Sequence, residues 1–266
     1  MILYVVLSPR FSPRIYSSKL FFPDEHRGDM KALRSYGKYQ NAEIPFLAQD
    51  GFRMRGWYFA NTASKKIYLV HQGNSGDIPR HMEIIDLLLE SGASVFIYDP
   101  RGFGESAGKP TIQHWLEDAE SAYDVVNHQL HFTAEQIIIF GISLGSAAAT
   151  HLSTVRPARG LILQSGFSSL EAIAKEEVKG LRIYPSFLFT RPAFDNARIL
   201  SGSHPPLLLV HGLKDDVIGP DHTRTMYFAA SEPKSVLYMQ DSNHTEVAVT
   251  DRPKYLQTLK MFLASL

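Results

Sequence analysis

The chain has 266 residues, 44% of them hydrophobic and 20% charged, and this composition predicts a globular protein that buries most of its apolar surface. Its 27 basic and 27 acidic residues balance, so its charge gives no indication of a nucleic-acid or polyanion partner. The chain contains no cysteine, which excludes disulfides, a thiolate nucleophile and zinc–thiolate sites. Because a lack of cysteine is consistent with a reducing compartment, we expect a cytoplasmic location.

The N-terminal part differs in composition from the rest of the chain. It begins with a short apolar run at 1–7, far shorter than the ~20 residues that span a bilayer and without the basic start of a signal peptide. We interpret this run as a first strand or as a segment packed on the surface. Contact of residues 1–22 with a membrane, as in a peripheral membrane enzyme, is the alternative. Residues 1–40 are expected to form an irregular lead-in that packs on a main domain at 41–266.

Short apolar runs separated by longer amphipathic segments follow in the main domain. Strands are predicted at 43–48 and 52–60, around a hairpin turn at 49–51, and then at 67–70, 94–98, 137–140, 160–163, 207–210 and 235–239. Helices are predicted at 78–90, 112–129, 222–230 and 253–263, and one more begins at 146. This alternation predicts an α/β fold, with a mostly parallel sheet, an N-terminal antiparallel hairpin and helices on both faces. Residues 170–200 are expected to form a short lid-like insert.

One predicted strand turns abruptly into a helix, in the sequence QIIIFGISLGSAAAT at 136–150. Such a turn strains the backbone of its apex residue, Ser143, and requires small neighbours two residues away on either side, which are Gly141 and Gly145. We expect the Ser143 hydroxyl to be exposed above the strand and the backbone N–H of Leu144 to point where an anion can form. A plain glycine turn is the alternative, because the pattern G-x-S-x-G arises by chance in about one such chain in ten.

Two further polar residues follow strands at the same edge of the predicted sheet, where ligands bind in such folds. A serine hydroxyl becomes a nucleophile when a base takes its proton, and the base needs a carboxylate to orient it. Ser143, Asp215 and His244 supply these three groups in the order Ser–Asp–His. Asp216 is the alternative candidate for the carboxylate. The other alternative is that this segment is an ordinary exposed turn with no such role.

Other polar residues near strand ends are expected to have structural roles. His211 and His71 are interpreted as hydrogen-bonding groups of strand-end loops, with a place in the site as the alternative for His71. The turn at 99–104 is glycine-rich but lacks the Lys-Ser/Thr of a phosphate loop, so we expect Asp99 and Arg101 to brace neighbouring loops. No His, Asp and Glu spacing predicts a metal site, and no cofactor is expected.

Several motifs together resemble those of a known superfamily. They are GNSGD at 73–77, YDPRGFGESAGKPT at 98–111, GISLG at 141–145, HGLKDDV at 211–217 and NH at 243–244. Over residues 44–264 the chain resembles the α/β-hydrolases, and within them the small Bem46-like serine hydrolases and the groups of alpha/beta hydrolase domain-containing proteins 13 and 17. The resemblance implies an α/β-hydrolase fold with a small lid.

The resemblance also implies roles for particular residues. Asp215 would be the carboxylate, His244 the base, and the backbone N–H groups of Asn74 and Leu144 the oxyanion hole. Two positions depart from the family pattern: Gln72 stands where relatives usually have histidine, and Asp241-Ser242 stand where they tend to have glycine. The donor near Gln72 is a backbone group, so this departure should not abolish the oxyanion hole. Aspartate tolerates a left-handed conformation better than most residues, so Asp241 is compatible with the loop.

Aromatic residues of the insert follow the strand at 160–163 and are expected to overhang Ser143. Tyr184, Phe187 and Phe189 are the candidate substrate-binding residues. They are interpreted either as part of an acyl-binding wall or as the small core of a lid.

The leading functional hypothesis is a serine hydrolase that cleaves carboxylic esters or thioesters through an acyl-enzyme intermediate. Its substrate would be a small-molecule or acyl-chain ester. An amidase or peptidase with the same three residues is the first alternative, because the three residues do not select the leaving group. A catalytically silent binding module with the same fold is the second.

Overall fold

An eight-stranded sheet forms the centre of the protein in a computed structural model, which describes residues 2–12, 20–23, 28–34, 36–189 and 194–266. The strands are β1 (Gln40–Leu47), β2 (Arg53–Ala60), β3 (Ile67–His71), β4 (Ser94–Asp99), β5 (Ile137–Ile142), β6 (Gly160–Gln164), β7 (Leu207–Gly212) and β8 (Lys234–Met239). Their order across the sheet is β1-β2-β4-β3-β5-β6-β7-β8.

The direction of the strands agrees with the prediction. β2 pairs antiparallel with both β1 and β4, and the remaining neighbours pair parallel. The mostly parallel sheet with an N-terminal antiparallel hairpin is therefore confirmed. Because β3, β5, β6, β7 and β8 run parallel, their carboxyl ends lie along one edge of the sheet, and that edge positions the candidate site.

Helices cover both faces of the sheet. The α-helices of the described residues are α1 (Ile2–Val6), α2 (Met30–Arg34), α3 (Met82–Ser91), α4 (Ile112–Asp124), α5 (Gly145–Val155), α6 (Leu170–Glu177), α7 (Asn196–Leu200), α8 (Asp221–Ala229) and α9 (Arg252–Ser265). Tyr68 and Val70 of β3 lie in the core with α3 and α9, whereas Ile67 and Leu69 lie in the core with α5 and α8. This alternation explains the continuous apolar sequence of the central strands, because both of their faces are buried.

The apolar start of the chain forms a short helix, α1, and the interpretation of this run as a first strand is wrong. Tyr4 and Val5 pack instead on the insert, against a cluster that contains Leu181 and Tyr184. The rings of Tyr4 and Tyr184 stack at 4.8 Å. The run therefore buries one side against the insert and does not join an edge of the sheet.

The insert consists of short elements. α6 is followed by two short 3-10 helices, Lys179–Ile183 and Ser186–Leu188, and by α7. Residues 190–193 of the insert and 1, 13–19, 24–27 and 35 of the lead-in lie outside the described residues. Within the described part of the chain, no helix is both long and apolar enough to cross a bilayer.

Candidate active site

Ser143 lies at the turn between β5 and α5, in a backbone conformation that residues other than glycine rarely adopt. Its φ is +52°, in the left-handed region. The turn is possible because its neighbours are small: a Cβ at Gly145 would lie 2.0 Å from the carbonyl oxygen of His71, and one at Gly141 would lie 2.7 Å from the Cβ of Ala149. The strain predicted from G-x-S-x-G is therefore present at the predicted residue.

The three side chains predicted to act together are in hydrogen-bond contact. Nε2 of His244 lies 3.1 Å from Oγ of Ser143, and Nδ1 of His244 lies 2.7 Å from Oδ2 of Asp215. Because a carboxylate only accepts, Nδ1 carries the proton, and Nε2 is free to accept the proton of the Ser143 hydroxyl. This is the hydrogen-bond order that activates a serine.

The carboxylate of Asp215 is fully buried and is held in its ionised form. Burial alone would raise the pKa of Asp215, but hydrogen bonds from His211, His244 and the backbone N–H of Ile218 hold this pKa well below its usual range. The backbone N–H of Val217 also donates to this carboxylate, at 3.0 Å. The buried negative charge can therefore stabilise a positive imidazole at His244.

Asp216, His211 and His71 are the other candidate polar residues. Asp216 is exposed on the surface. His211 is buried, with Nδ1 2.7 Å from the Thr223 hydroxyl, and its Nε2 lies 2.7 Å from the Ile218 carbonyl oxygen and 3.2 Å from Oδ2 of Asp215. Nδ1 of His71 lies 2.9 Å from the Tyr98 hydroxyl, and burial lowers the pKa of His71 to about 3.

An apolar cavity of about 330 Å³ opens beside Ser143. The lining residues come from the lead-in, the loops after β3, β5, β6 and β7, the start of α4, and the insert. They are Pro9, Leu20, Phe22, Asn74, Ile112, Ser143, Leu144, Phe167, Leu170, Ile173, Ala174, Glu177, Val178, Leu181, Phe189, Val217 and Ile218. Glu177 is the one ionisable side chain among these described lining residues.

The three aromatic residues predicted to bind substrate occupy different positions. Phe189 lines the cavity, but Tyr184 and Phe187 do not. Tyr184 is buried against Tyr4 of the lead-in, and the side chain of Phe187 points to solvent with 61% of its surface exposed. The insert thus supplies both a wall residue and a small core of its own.

Asn74 and Leu144 both lie at the cavity beside Ser143. A Cβ at the preceding residue, Gly73, would lie only 3.5 Å from the Cβ of Ser143, so the loop after β3 passes directly over the serine. Within the described residues, neither the N–H of Asn74 nor that of Leu144 has a protein acceptor. These two donors are therefore available to a ligand at Ser143.

Asp99, at the end of β4, braces the loop after β3. Its Oδ1 accepts hydrogen bonds from the side chain of Gln72 at 3.2 Å and from the backbone N–H of Ile78 at 3.1 Å. Burial and the nearby charge of Asp77 raise the pKa of Asp99 to about 7. Gln72, which departs from the family pattern, thus contributes a hydrogen bond to the loop that carries Asn74.

A group of potential metal ligands was missed by the sequence reasoning. Ligand atoms of Asp50, His114 and Glu117 lie within 4.8 Å of one another. The sequence carries no signal for this group, because Asp50 is far from the other two in the chain. The guanidinium of Arg101 lies 2.6 Å from Asp50 and also bonds Asp118, so the Asp50 carboxylate already pairs with a cation.

The lead-in also contributes to the cavity in a way that the sequence did not predict. The lead-in was expected to pack on the main domain, and Phe21 of the lead-in is buried against Trp115. Leu20 and Phe22 line the cavity at Ser143. The sequence gives no signal for this contact, because the lead-in and the serine are far apart in the chain.

Comparisons with known proteins agree with this architecture. The family model for Serine aminopeptidase, S33 matches residues 62–199. The uncharacterized protein YfhR of Escherichia coli O157:H7 is 32% identical over 251 residues, which are 90% of this chain and 84% of that protein. Human alpha/beta hydrolase domain-containing protein 17B is 27% identical over 202 residues, covering 76% of this chain and 67% of that protein.

Solved structures share the fold. The esterase Pf2001 of Pyrococcus furiosus superimposes with a TM-score of 0.75 at 19% identity, over 92% of this chain and 98% of that chain. An alpha-beta hydrolase of Vibrio vulnificus superimposes with a TM-score of 0.72 at 18% identity, over 89% and 88% of the two chains. The fold is therefore that of an α/β-hydrolase, as the motifs predicted. The chain belongs to the Serine aminopeptidase, S33 family and is a hydrolase.

Proposed function

We propose that the protein is a serine hydrolase that cleaves carboxylic esters or thioesters through a covalent acyl-enzyme. The observation that carries this proposal is the pair of contacts of His244, 3.1 Å to Oγ of Ser143 and 2.7 Å to Oδ2 of Asp215. These contacts join a nucleophile that lines the cavity to a base and a buried anion, which is the arrangement needed for nucleophilic acyl transfer.

The reaction begins when Oγ of Ser143 attacks the substrate carbonyl carbon while Nε2 of His244 takes the hydroxyl proton. The ionised carboxylate of Asp215 stabilises the resulting imidazolium. When the tetrahedral intermediate collapses, the bond to the leaving group breaks, and the alcohol or thiol departs with the proton from His244. A water molecule then attacks the acyl-enzyme with His244 as base, which releases the carboxylic acid and restores Ser143.

The negative charge on the carbonyl oxygen is stabilised by two backbone donors. The N–H groups of Asn74 and Leu144 have no protein acceptor among the described residues and lie beside Ser143. The N–H of Leu144 also stands at the N-terminus of α5, where the helix dipole favours an anion. Preorganised donors of this kind each contribute about 10²–10³ to the rate of acyl transfer.

The cavity favours a substrate with an apolar acyl group. Its wall consists almost entirely of aliphatic and aromatic side chains, among them Ile173, Leu181 and Phe189. Burial of a hydrocarbon chain there is favourable by about 0.8 kcal/mol per methylene. A peptide would place polar backbone groups against the same wall, with few partners to satisfy them.

Amide or peptide hydrolysis is the second candidate. It is favoured by one observation, the carboxylate of Glu177 at the edge of the apolar cavity, which suits a positively charged amine. A silent binding module is disfavoured, because binding alone does not require His244 to contact both Ser143 and Asp215.

The experiment that tests the proposal compares p-nitrophenyl esters of increasing acyl length with aminoacyl p-nitroanilides. We expect turnover of the esters that exceeds that of the anilides and disappears in Ser143→Ala. Preferred hydrolysis of the anilides would support the second candidate. Undiminished ester turnover by Ser143→Ala would exclude Ser143 as the nucleophile.

A further inference from the structure

The lead-in is bonded to the loop that carries one proposed oxyanion donor. The backbone N–H of Phe22 donates to the carbonyl oxygen of Asn74 at 2.8 Å, and Phe22 pairs with Ser75 as an isolated parallel bridge. Outside this pairing, the loop at 72–76 is irregular, so its position depends on a few bonds of this kind. The Phe22–Asn74 bond therefore holds the residue whose N–H is a proposed oxyanion donor.

Phe21, the preceding residue of the lead-in, is connected to Leu144, the other proposed donor, through Trp115. The ring of Phe21 packs on Trp115 of α4, with 5.3 Å between ring centroids. The indole N–H of Trp115 in turn donates to the carbonyl oxygen of Leu144 at 3.3 Å. Two consecutive lead-in residues therefore support the residues on both sides of the proposed oxyanion hole.

Phe22 also lines the acyl cavity, together with Leu20. Its backbone thus binds the oxyanion loop while its half-buried side chain forms part of the wall that a substrate would contact. Phe21, by contrast, is buried in the core beside Phe103 and Leu144 and does not line the cavity. Phe22 therefore contacts both the space for the substrate and the loop that carries Asn74.

We infer that Phe22 is a positioning residue that couples occupation of the acyl cavity to the oxyanion hole. An acyl chain long enough to pack on the Phe22 side chain holds the Phe22–Asn74 bond closed and keeps the Asn74 N–H aimed at the developing oxyanion. A short acyl group leaves Phe22 without this contact. The inference rests on the proposed function, and it predicts that kcat rises with acyl chain length in addition to the fall in KM that apolar burial alone would give.

The physical basis is the use of remote binding energy in the transition state. Contacts that form equally in the ground and transition states change KM, whereas contacts that position a catalytic group raise kcat. A displacement of about 1 Å at a catalytic donor costs up to about 10²-fold in rate. Both tetrahedral intermediates use the oxyanion hole, so the effect on kcat persists whether formation or hydrolysis of the acyl-enzyme limits turnover.

The test measures kcat and KM for p-nitrophenyl acetate and p-nitrophenyl octanoate in the wild type, Phe22→Ala and Phe22→Leu. In Phe22→Ala we expect kcat for octanoate to fall about 10-fold while kcat for acetate changes less than about 3-fold. Phe22→Leu, which restores apolar bulk, should recover most of the octanoate kcat. Phe11→Ala is the matched control, because Phe11 lies in the same lead-in with 58% of its side chain exposed and should leave both values unchanged.

Two results would overturn the inference. A rise in the octanoate KM of Phe22→Ala without a fall in kcat would make Phe22 a wall residue alone. An equal fall of kcat for both esters, accompanied by a lower Tm, would make it a purely structural residue. Failure of the proposed function is a different result, in which the wild type turns over neither ester. Failure of the Phe22 inference is seen only in the variants, while the wild type still hydrolyses both esters.

Discussion

Asp215 binds Nδ1 of His244 through a carboxylate that is completely shielded from solvent, with 2.7 Å between the two atoms. This contact fixes which nitrogen of His244 faces Ser143 and places a negative charge beside the imidazole. The neighbouring residue, Asp216, is exposed and is chemically identical. The two adjacent aspartates therefore form a natural pair for testing the role of the buried one.

Replacement of Asp215 by asparagine should lower kcat for ester hydrolysis by about 10⁴-fold. The neutral amide holds His244 in the wrong tautomer and carries no negative charge to stabilise the imidazolium form of His244. Asp216→Asn should stay within about 2-fold of the wild type, since a surface substitution leaves the site unchanged. The measurement is the initial rate on a p-nitrophenyl ester at saturating substrate. Similar losses in the two variants would contradict the assignment of Asp215.

The buried carboxyl of Asp99 should make stability depend on pH. Its pKa is raised from 3.8 to about 7 in the folded protein, chiefly by burial, so the folded state binds its proton more tightly than the unfolded state. The stability that this group contributes is complete below about pH 4 and is lost as pH rises to about 7. Asp99→Asn, which cannot ionise, does not undergo this loss.

We therefore expect the difference in free energy of unfolding, Asp99→Asn minus wild type, to rise by about 4 kcal/mol between pH 4 and pH 7 and then to level off. Urea unfolding at a series of pH values measures it. Two curves that run parallel across this range would show that Asp99 has no raised pKa. Because asparagine keeps the acceptor for Gln72, the variant should retain the loop after β3.

Phe189 and Phe187 test the wall of the cavity. The first lines the cavity, and the second lies two residues away in the same insert but points to solvent. Phe189→Ala removes apolar wall surface and should raise KM for a p-nitrophenyl octanoate substrate about 10-fold, whereas Phe187→Ala should leave KM unchanged. An equal effect of both substitutions would indicate that the insert acts as a unit and not through its wall residue.

Gly145 tests the turn at Ser143. A Cβ at this position would lie 2.0 Å from the carbonyl oxygen of His71, which is a backbone atom and cannot move aside. Gly145→Ala should therefore destabilise the protein by about 3 kcal/mol or more in urea unfolding. Gly180→Ala is the control, because no atom lies within 4 Å of the added Cβ there. Equal stability of the two variants would exclude the close approach of β3 and α5.

Much of the fold and the contact between three residues of the candidate site could be predicted because their signals are local. Ser143 was found from a buried strand, two flanking glycines and a small-residue helix, which are all within one short segment. Asp215 and His244 were found because each follows a predicted strand of a parallel sheet, whose carboxyl ends meet at one edge. Local periodicity thus determined the site once the sheet was assigned.

The remainder could not be predicted because it depends on packing between distant segments. Phe22 lines the cavity because of where the lead-in packs. The helix α1 is supported by the stacking of Tyr4 on Tyr184 of the insert. Of the aromatic residues in the insert, sequence alone does not distinguish Phe189 from Phe187. Neighbouring apolar residues look equivalent until the direction of each side chain is known.

Labelling with a fluorophosphonate, followed by mass spectrometry of the intact protein and its peptides, tests the central claim most directly. The reagent bonds covalently to a serine only where a base and an oxyanion hole activate it. We predict one adduct on the peptide that contains Ser143 in the wild type and in the control Ser153→Ala, and none in Ser143→Ala. An unmodified wild type, or an adduct that persists in Ser143→Ala, would contradict the claim that Ser143 is the nucleophile.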